Sequence, residues 1–350
     1  MTRSPRWILL AVLAVVLSVT VGVVASSGKS HSSSDDTKAG TTSTPSHEGS
    51  GRSGDKGGGG HGKAGSVFTI PGDTVFPEGI ALDKRGPGKT IFVSSTTDGT
   101  IFKGSTKAKA LAPFAPGGAD GRASATGLTV DRGRLFVSGA ATGKAFVLST
   151  KDGSTLKVLD SKPTSADTFI NDVTAAGGFA YFTDSRQPVI LRASTSGAAV
   201  GDMERWLDLT GTVFAYQDGF NANGIVSYED GRVLVVVQSN TGKLFRVDTQ
   251  SKAVSEIDLG GKTLTQGDGL VAHGHKLYVV RNTGEIVEVR LRNGERRGEI
   301  RKTVTSPLFA FPTTAARDGG RLLVVNSQFD KRAAGQPPVL PFTVVSVKKP

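Results

Sequence analysis

Cysteine is absent from all 350 residues, methionine and tryptophan occur twice each, and aromatic residues make up only 7% of the chain. Without thiols there are no disulfides and no thiolate metal sites, so packing alone must hold the fold. Histidine is scarce too: His31, His47 and His61 precede residue 66, while His273 and His275 share one turn. That turn follows the first strand of the fifth repeat and is expected on the face opposite the motifs that open the repeats, so a Ser–His–Asp mechanism, a histidine dyad and an imidazole-built redox centre are not expected. Carboxylate and metal chemistry remain.

Also missing, from residue 66 onward, is any sustained helical period. Short β-branched runs alternate with Gly, Asp and Asn turns, which predicts an all-β domain. Lys and Arg exceed Asp and Glu by 42 to 31, a formal charge of +11, and seven of the basic residues against four acids lie before residue 66. The rest of the excess is spread along the sequence. A nucleic-acid binder concentrates such charge on one face with aromatics for base stacking; the sequence shows no such cluster, and no nucleic-acid partner is expected.

The apolar run Trp7 to Ala25, preceded by Arg3 and Arg6, is long for a signal h-region and adequate for a bilayer span. Both a cleaved signal peptide, with a small-residue site at Val23–Ala25, and a retained anchor are open readings of residues 1–25. Either places the protein outside the cytoplasm, secreted or tethered. Residues 26–65 are rich in Ser, Gly, Thr and Lys, include Gly57–Gly60, and hold almost nothing that could bury apolar area; a disordered tether is expected there.

Residues 66–350 repeat. EGIAL at Glu78, TGLTV at Thr126, NDVTA at Asn171, NGIVS at Asn223, DGLVA at Asp268 and TTAAR at Thr313 follow one another at spacings of 48, 45, 52, 45 and 45 residues. Each is followed by a second and a third strand-like run. Repeats of that length are propeller blades, so a six-bladed β-propeller is predicted. The sixth unit runs out of chain after its third strand. The orphan SVFTIPG at 66–72 is the natural fourth, closing the ring and covering an open edge.

Inner strands of a propeller line a common channel, so the residues opening the six motifs should converge. Glu78, Asn171, Asn223 and Asp268 are two carboxylates and two carboxamides, the oxygen donors that a hard divalent cation such as Ca2+ requires. Four side chains leave coordination positions for water or substrate. The plain alternative is that Asn and Asp before Gly form turns; repetition in register argues for the site. Thr126 and Thr313 complete the ring and are expected, with Phe169, as possible substrate-pocket residues.

PEGI at Glu78, INDV at Asn171, NANGI at Asn223 and GDGL at Asp268 together resemble, in order, the Glu, Asn, Asn, Asp ligand set of the regucalcin and gluconolactonase family. Paraoxonases and diisopropyl fluorophosphatase are more distant relatives. The resemblance covers residues 66–350. It implies a six-bladed propeller with a central Ca2+, hydrolysis of a lactone or related ester, and Asp268 as base or nucleophile beside an ion held partly by Glu78.

The family carries a basic residue two positions before the Asn of the third blade, where this chain has Phe169. A less polar substrate than a sugar lactone follows. Phe220 before the fourth motif points the same way, and Asp184, ending a second strand, is a further candidate pocket residue. Phosphotriester hydrolysis would use the same oxygen ring, and a non-catalytic cell-surface binding or scaffold propeller is the rival of a different class. Nothing in the sequence suggests a dimer interface, so a monomer is expected.

Overall fold

The computed structural model describes residues 66–85 and 88–350; the signal or anchor at 1–25 and the tether at 26–65 lie outside them. Among the described residues no helix is long and apolar enough to cross a membrane. Six four-stranded antiparallel sheets follow one another. Blade 1 is Pro77–Asp83, Thr90–Ser95, Ile101–Ser105 and Ala112–Ala115; blade 2 is Leu128–Asp131, Arg134–Ser138, Lys144–Ser149 and Thr155–Asp160. Blade 3 is Ile170–Ala176, Phe179–Asp184, Val189–Ser194 and Met203–Asp208; blade 4 is Ala222–Tyr228, Val233–Gln238, Lys243–Asp248 and Val254–Glu256. Blade 5 is Gly267–His273, Lys276–Arg281, Glu285–Arg292 and Arg297–Thr305. Blade 6 is Pro312–Asp318, Arg321–Asn326 and Phe342–Lys348, with Val67–Ile70 as its outer strand.

The closure expected from the sequence is present. Val67–Ile70 runs antiparallel to the third strand of blade 6, with Val67 opposite Val345 and Ile70 opposite Phe342. The same strand reaches across to blade 1, where Thr69 N donates to Lys109 O and Leu111 N donates to Thr69 O, both at 2.9 Å. Phe68 and Ile70 go into the core between blades 6 and 1. Phe68→Ala should lower stability by about 3–5 kcal/mol, measured by urea unfolding. A change under about 1 kcal/mol would mean that the closing strand carries no load.

Strand alternation explains how the blades stack. Ile91 and Val93 face the core shared with blade 6, while Phe92 between them faces blade 2. Successive side chains of a strand point to opposite faces, and each blade is covered on both, so middle strands such as VLVVVQ in blade 4 are apolar on both sides. Six buried clusters result, one between each neighbouring pair of blades.

Along the channel, polar groups rather than apolar area join the blades. Ser94 Oγ donates to Thr126 O, Thr126 Oγ1 to Asn171 O, Thr183 Oγ1 to Asn223 O, Ser239 Oγ to Gly267 O, Asn282 Nδ2 to Pro312 O, and Thr313 Oγ1 to Glu78 O. Every one of the six inter-blade seams thus has a hydrogen bond at its inner edge.

Candidate metal centre

Each inner strand enters at one mouth of the channel, and in five blades it enters through a bulge. The register shifts between Pro77 and Ile80, Ile170 and Val173, Ala222 and Ile225, Gly267 and Leu270, and Pro312 and Ala315. Two inner-strand residues face one on the partner there, and a bulge of this kind re-aims side chains. The bulged pairs are the repeated motif positions: Glu78–Gly79, Asn171–Asp172, Asn223–Gly224, Asp268–Gly269 and Thr313–Thr314.

The motif glycines are needed for space. A Cβ at Gly79 would stand 2.1 Å from Thr126 O, and one at Gly224 would stand 2.2 Å from Asp268 O. Neighbouring inner strands approach so closely that a side chain at this position would drive them apart. Asp and Asn before Gly are therefore not turn formers here.

Glu78, Asn171, Asn223 and Asp268 are all buried. Burial, then the charges of Asp268 and Asp172, raises the Glu78 carboxyl well above the ordinary range. Burial is also the main cause that pushes Asp268 to about 7; hydrogen bonds from Asn282 and Asn223 oppose the rise, and Asp172 adds to it. Asp172 is itself pushed to about 7 by burial, against hydrogen bonds from the Val173 and Ile225 amides. The buried Glu78 and Asp268 and the half-buried Asp172 therefore feel one another, and no lysine or arginine is among the groups that shift them. Glu78 Oε2 has no hydrogen-bond partner. A buried anion normally has a paired cation or a metal.

The carboxamides are held by residues that the sequence did not single out. Asn171 Nδ2 donates to Ser185 Oγ at 2.8 Å, and Asn223 Nδ2 donates to Ser239 Oγ at 3.0 Å. Asn282 takes the corresponding place in blade 5, its Nδ2 donating to Asp268 Oδ2 at 2.8 Å. Each of these anchors also donates to the next blade, Ser185 to Ala222 O, Ser239 to Gly267 O and Asn282 to Pro312 O. With both amide nitrogens used, the carboxamide oxygens receive no hydrogen bond from the described residues and are left as acceptors. Among those residues no three His, Cys, Asp or Glu side chains gather as a metal-holding group. An ion would thus draw on the two carboxylates together with the two carboxamides.

The other expected pocket residues divide. Thr126 and Thr313 spend their hydroxyls on carbonyls of neighbouring blades. Asp184 is fully engaged as well, accepting from Thr168 Oγ1 at 2.5 Å and from the amides of Phe169, Arg186 and Gln187, each at 2.9 Å. It ties two loops together and has no free oxygen for substrate. Phe169 is half-buried and meets Phe220 edge-on, ring centroids 4.9 Å apart, with the Arg186 guanidinium 4.7 Å from the Phe220 centroid. Arg186, two residues past the end of a second strand and marked by no motif, donates to Gly219 O at 3.2 Å and pairs with Asp167.

Two clefts open away from the ring, and no ring residue lines either. One, about 540 Å3, lies at the far ends of the inner strands of blades 3, 4 and 5, beside Ala176, Tyr228 and His273. The other, about 550 Å3, lies between Gly72, Asp98 and Pro116. The uncompensated carboxylates lie in the ring and not in either cleft.

The chain is a six-bladed β-propeller with buried carboxylates on its axis. Its sequence matches no family model and no curated protein. Among solved structures it is similar to the major allergen Mala s 1 of Malassezia sympodialis, with 15% identity, a TM-score of 0.58, and 80% of this chain and 95% of that one covered. It is also similar to a luciferin-regenerating enzyme, with 17% identity, a TM-score of 0.55, and 81% and 95% covered. The hydrazine synthase of Kuenenia stuttgartiensis is a third, with 14% identity, a TM-score of 0.52, and 83% and 98% covered. At such identities the likeness is one of fold.

Proposed function

We propose that the protein is an extracytoplasmic, metal-dependent hydrolase of the lactonase or esterase type. In this reading Glu78, Asn171, Asn223 and Asp268 hold a hard divalent cation, calcium by the chemistry of the donors. The observation that carries it is the buried Glu78 carboxylate, with one oxygen unpartnered, sharing the channel with Asp268 and no cation to balance them. When bound, such an ion polarises the carbonyl oxygen of an ester.

The chain's own groups supply the rest. Asp268, oriented by the Asn282 amide, accepts a proton from the attacking water or attacks the acyl carbon itself. The Ser185 and Ser239 hydroxyls fix the carboxamide nitrogens, so both oxygens are preorganised. Phe169 and Phe220 offer an apolar wall, which suits a less polar acyl group than a sugar lactone. That two structurally similar proteins are enzymes by name adds support for a catalytic channel, and the ring closed within one chain is in keeping with a monomer.

Calorimetric titration of calcium tests the site. Binding is expected in the wild-type protein and none in a Glu78→Gln, Asp268→Asn double variant. Heat in neither would transfer the reading to a non-catalytic surface propeller.

A further inference from the structure

The basic excess that looks evenly spread along the sequence converges in three dimensions. Lys84 follows the inner strand of blade 1, Arg317 is the last but one residue of that of blade 6, and His273 ends that of blade 5. These strands are neighbours, and all three residues come at the mouth opposite the carboxylate ring. Lys349, at the end of the chain, joins them, with its Nζ 3.5 Å from His273 Nδ1. Around Lys84, Arg317 and Lys349 the acids are spent: Asp318 pairs with Lys89, Asp83 with Arg85, and Glu288 with Lys276; the exposed Glu229 and Asp230 of blade 4 stand across a cleft from His273 and bound the patch on that side. Among the described residues Lys84, Arg317, Lys348 and Lys349 form no ion pair. Burial and the surrounding cations depress Lys84, Lys349 and His273 below their ordinary values.

The topology of blade 6 puts the entry of the chain on the same face. Its inner strand runs from the ring mouth to the opposite mouth, and strand direction alternates outward. The third strand therefore ends on the far side at Lys348, and the outer strand begins there at Val67, where Ser346 N donates to Ser66 O at 2.8 Å. The residues before 66, including the apolar run Trp7 to Ala25, thus join the propeller on its basic face.

We propose that the N-terminal apolar segment is retained as an anchor and that this face, centred on Lys84, Arg317 and Lys349, docks on the anionic headgroups of the bilayer that holds it. The carboxylate ring then opens away from the membrane, toward aqueous substrate. Basic residues near an anionic lipid surface add attraction one by one and lose it beyond a Debye length. Among the described residues no Phe, Tyr or Trp joins Lys84, Arg317, Lys349 and His273 to stack bases, which disfavours nucleic acid.

The test uses the full chain in nanodiscs of phosphatidylcholine alone or with phosphatidylglycerol, read by amide hydrogen exchange. In anionic discs the turns 273–276 and 317–321 should exchange more slowly than in neutral ones, ring-mouth loops should not change, and about 0.5 M salt should abolish the difference. Lys84→Ser, Arg317→Ser, Lys349→Ser together should weaken docking roughly 100-fold, while Lys84→Arg, Arg317→Lys, Lys349→Arg should preserve it. Equal exchange in both lipids, protection of the ring mouth, or failure to remain in the discs would overturn the proposal. So would equal protection by inorganic polyphosphate in neutral discs, which would assign the face to a soluble polyanion.

Discussion

In metal-free buffer the melting temperature should fall by roughly 5–10 °C between pH 5.5 and pH 8. Asp172 and Asp268 are pushed to about 7, and Glu78 is raised as well, whereas an unfolded carboxyl titrates at about 4. Between those values the folded protein holds protons that the unfolded chain has released. Stability is therefore full at low pH and is lost as pH rises through about 7. One such group is worth on the order of a few kcal/mol, and coupling makes the set smaller than the sum. His273 is depressed and acts in the opposite sense, but it is exposed and its effect is small.

Millimolar calcium at pH 8 should restore most of the loss, because a bound cation balances the ionised ring. Scanning calorimetry in EDTA and in calcium at both pH values makes the measurement. A melting temperature that is flat, or that rises toward pH 8 in EDTA, would show that the ring carboxylates are already compensated.

Asp268→Ala should abolish turnover on any lactone, aryl ester or phosphotriester that the wild-type protein hydrolyses, a loss on the order of 1000-fold in kcat/KM. The fold should survive. Asp268 gives its carboxylate to the channel and receives the Asn282 amide, while the inter-blade bond from Asn282 to Pro312 O remains. Removing a buried, uncompensated charge also relieves a cost, so the metal-free variant should melt no lower than the wild type at pH 8. Asp172→Asn is the control, since Asp172 accepts from two backbone amides, Val173 and Ile225, and clamps blade 3 to blade 4. Full activity in Asp268→Ala would falsify its assignment as base or nucleophile.

Much of this was legible in one dimension because a propeller is a repeat. Six motifs at nearly constant spacing predicted six blades, and the orphan run at 66–72 predicted the closing strand. Glu78, Asn171, Asn223 and Asp268 stood out because equivalent positions of equivalent blades open onto one axis. Their supports were harder to see: Ser185, Ser239 and Asn282 lie 14 to 16 residues downstream of the residues they hold, and that offset has meaning only once the bulge register is known. Asp184 looked like a pocket residue from its place at a strand end, yet the loop folds back on it and uses both of its oxygens.

Alternation and repetition are local properties, so the order of residues was enough to specify the all-β class, the blade count and the strand that closes the ring. The folded arrangement alone settled which polar groups are satisfied and where charge accumulates. It brought Asp172 into the field of Glu78 and Asp268, placed Arg186 beside Phe220, and gathered Lys84, Arg317 and Lys349 from opposite ends of the chain on one face. Electrostatic energy depends on distance through space and on burial, and neither quantity is written in the order of residues.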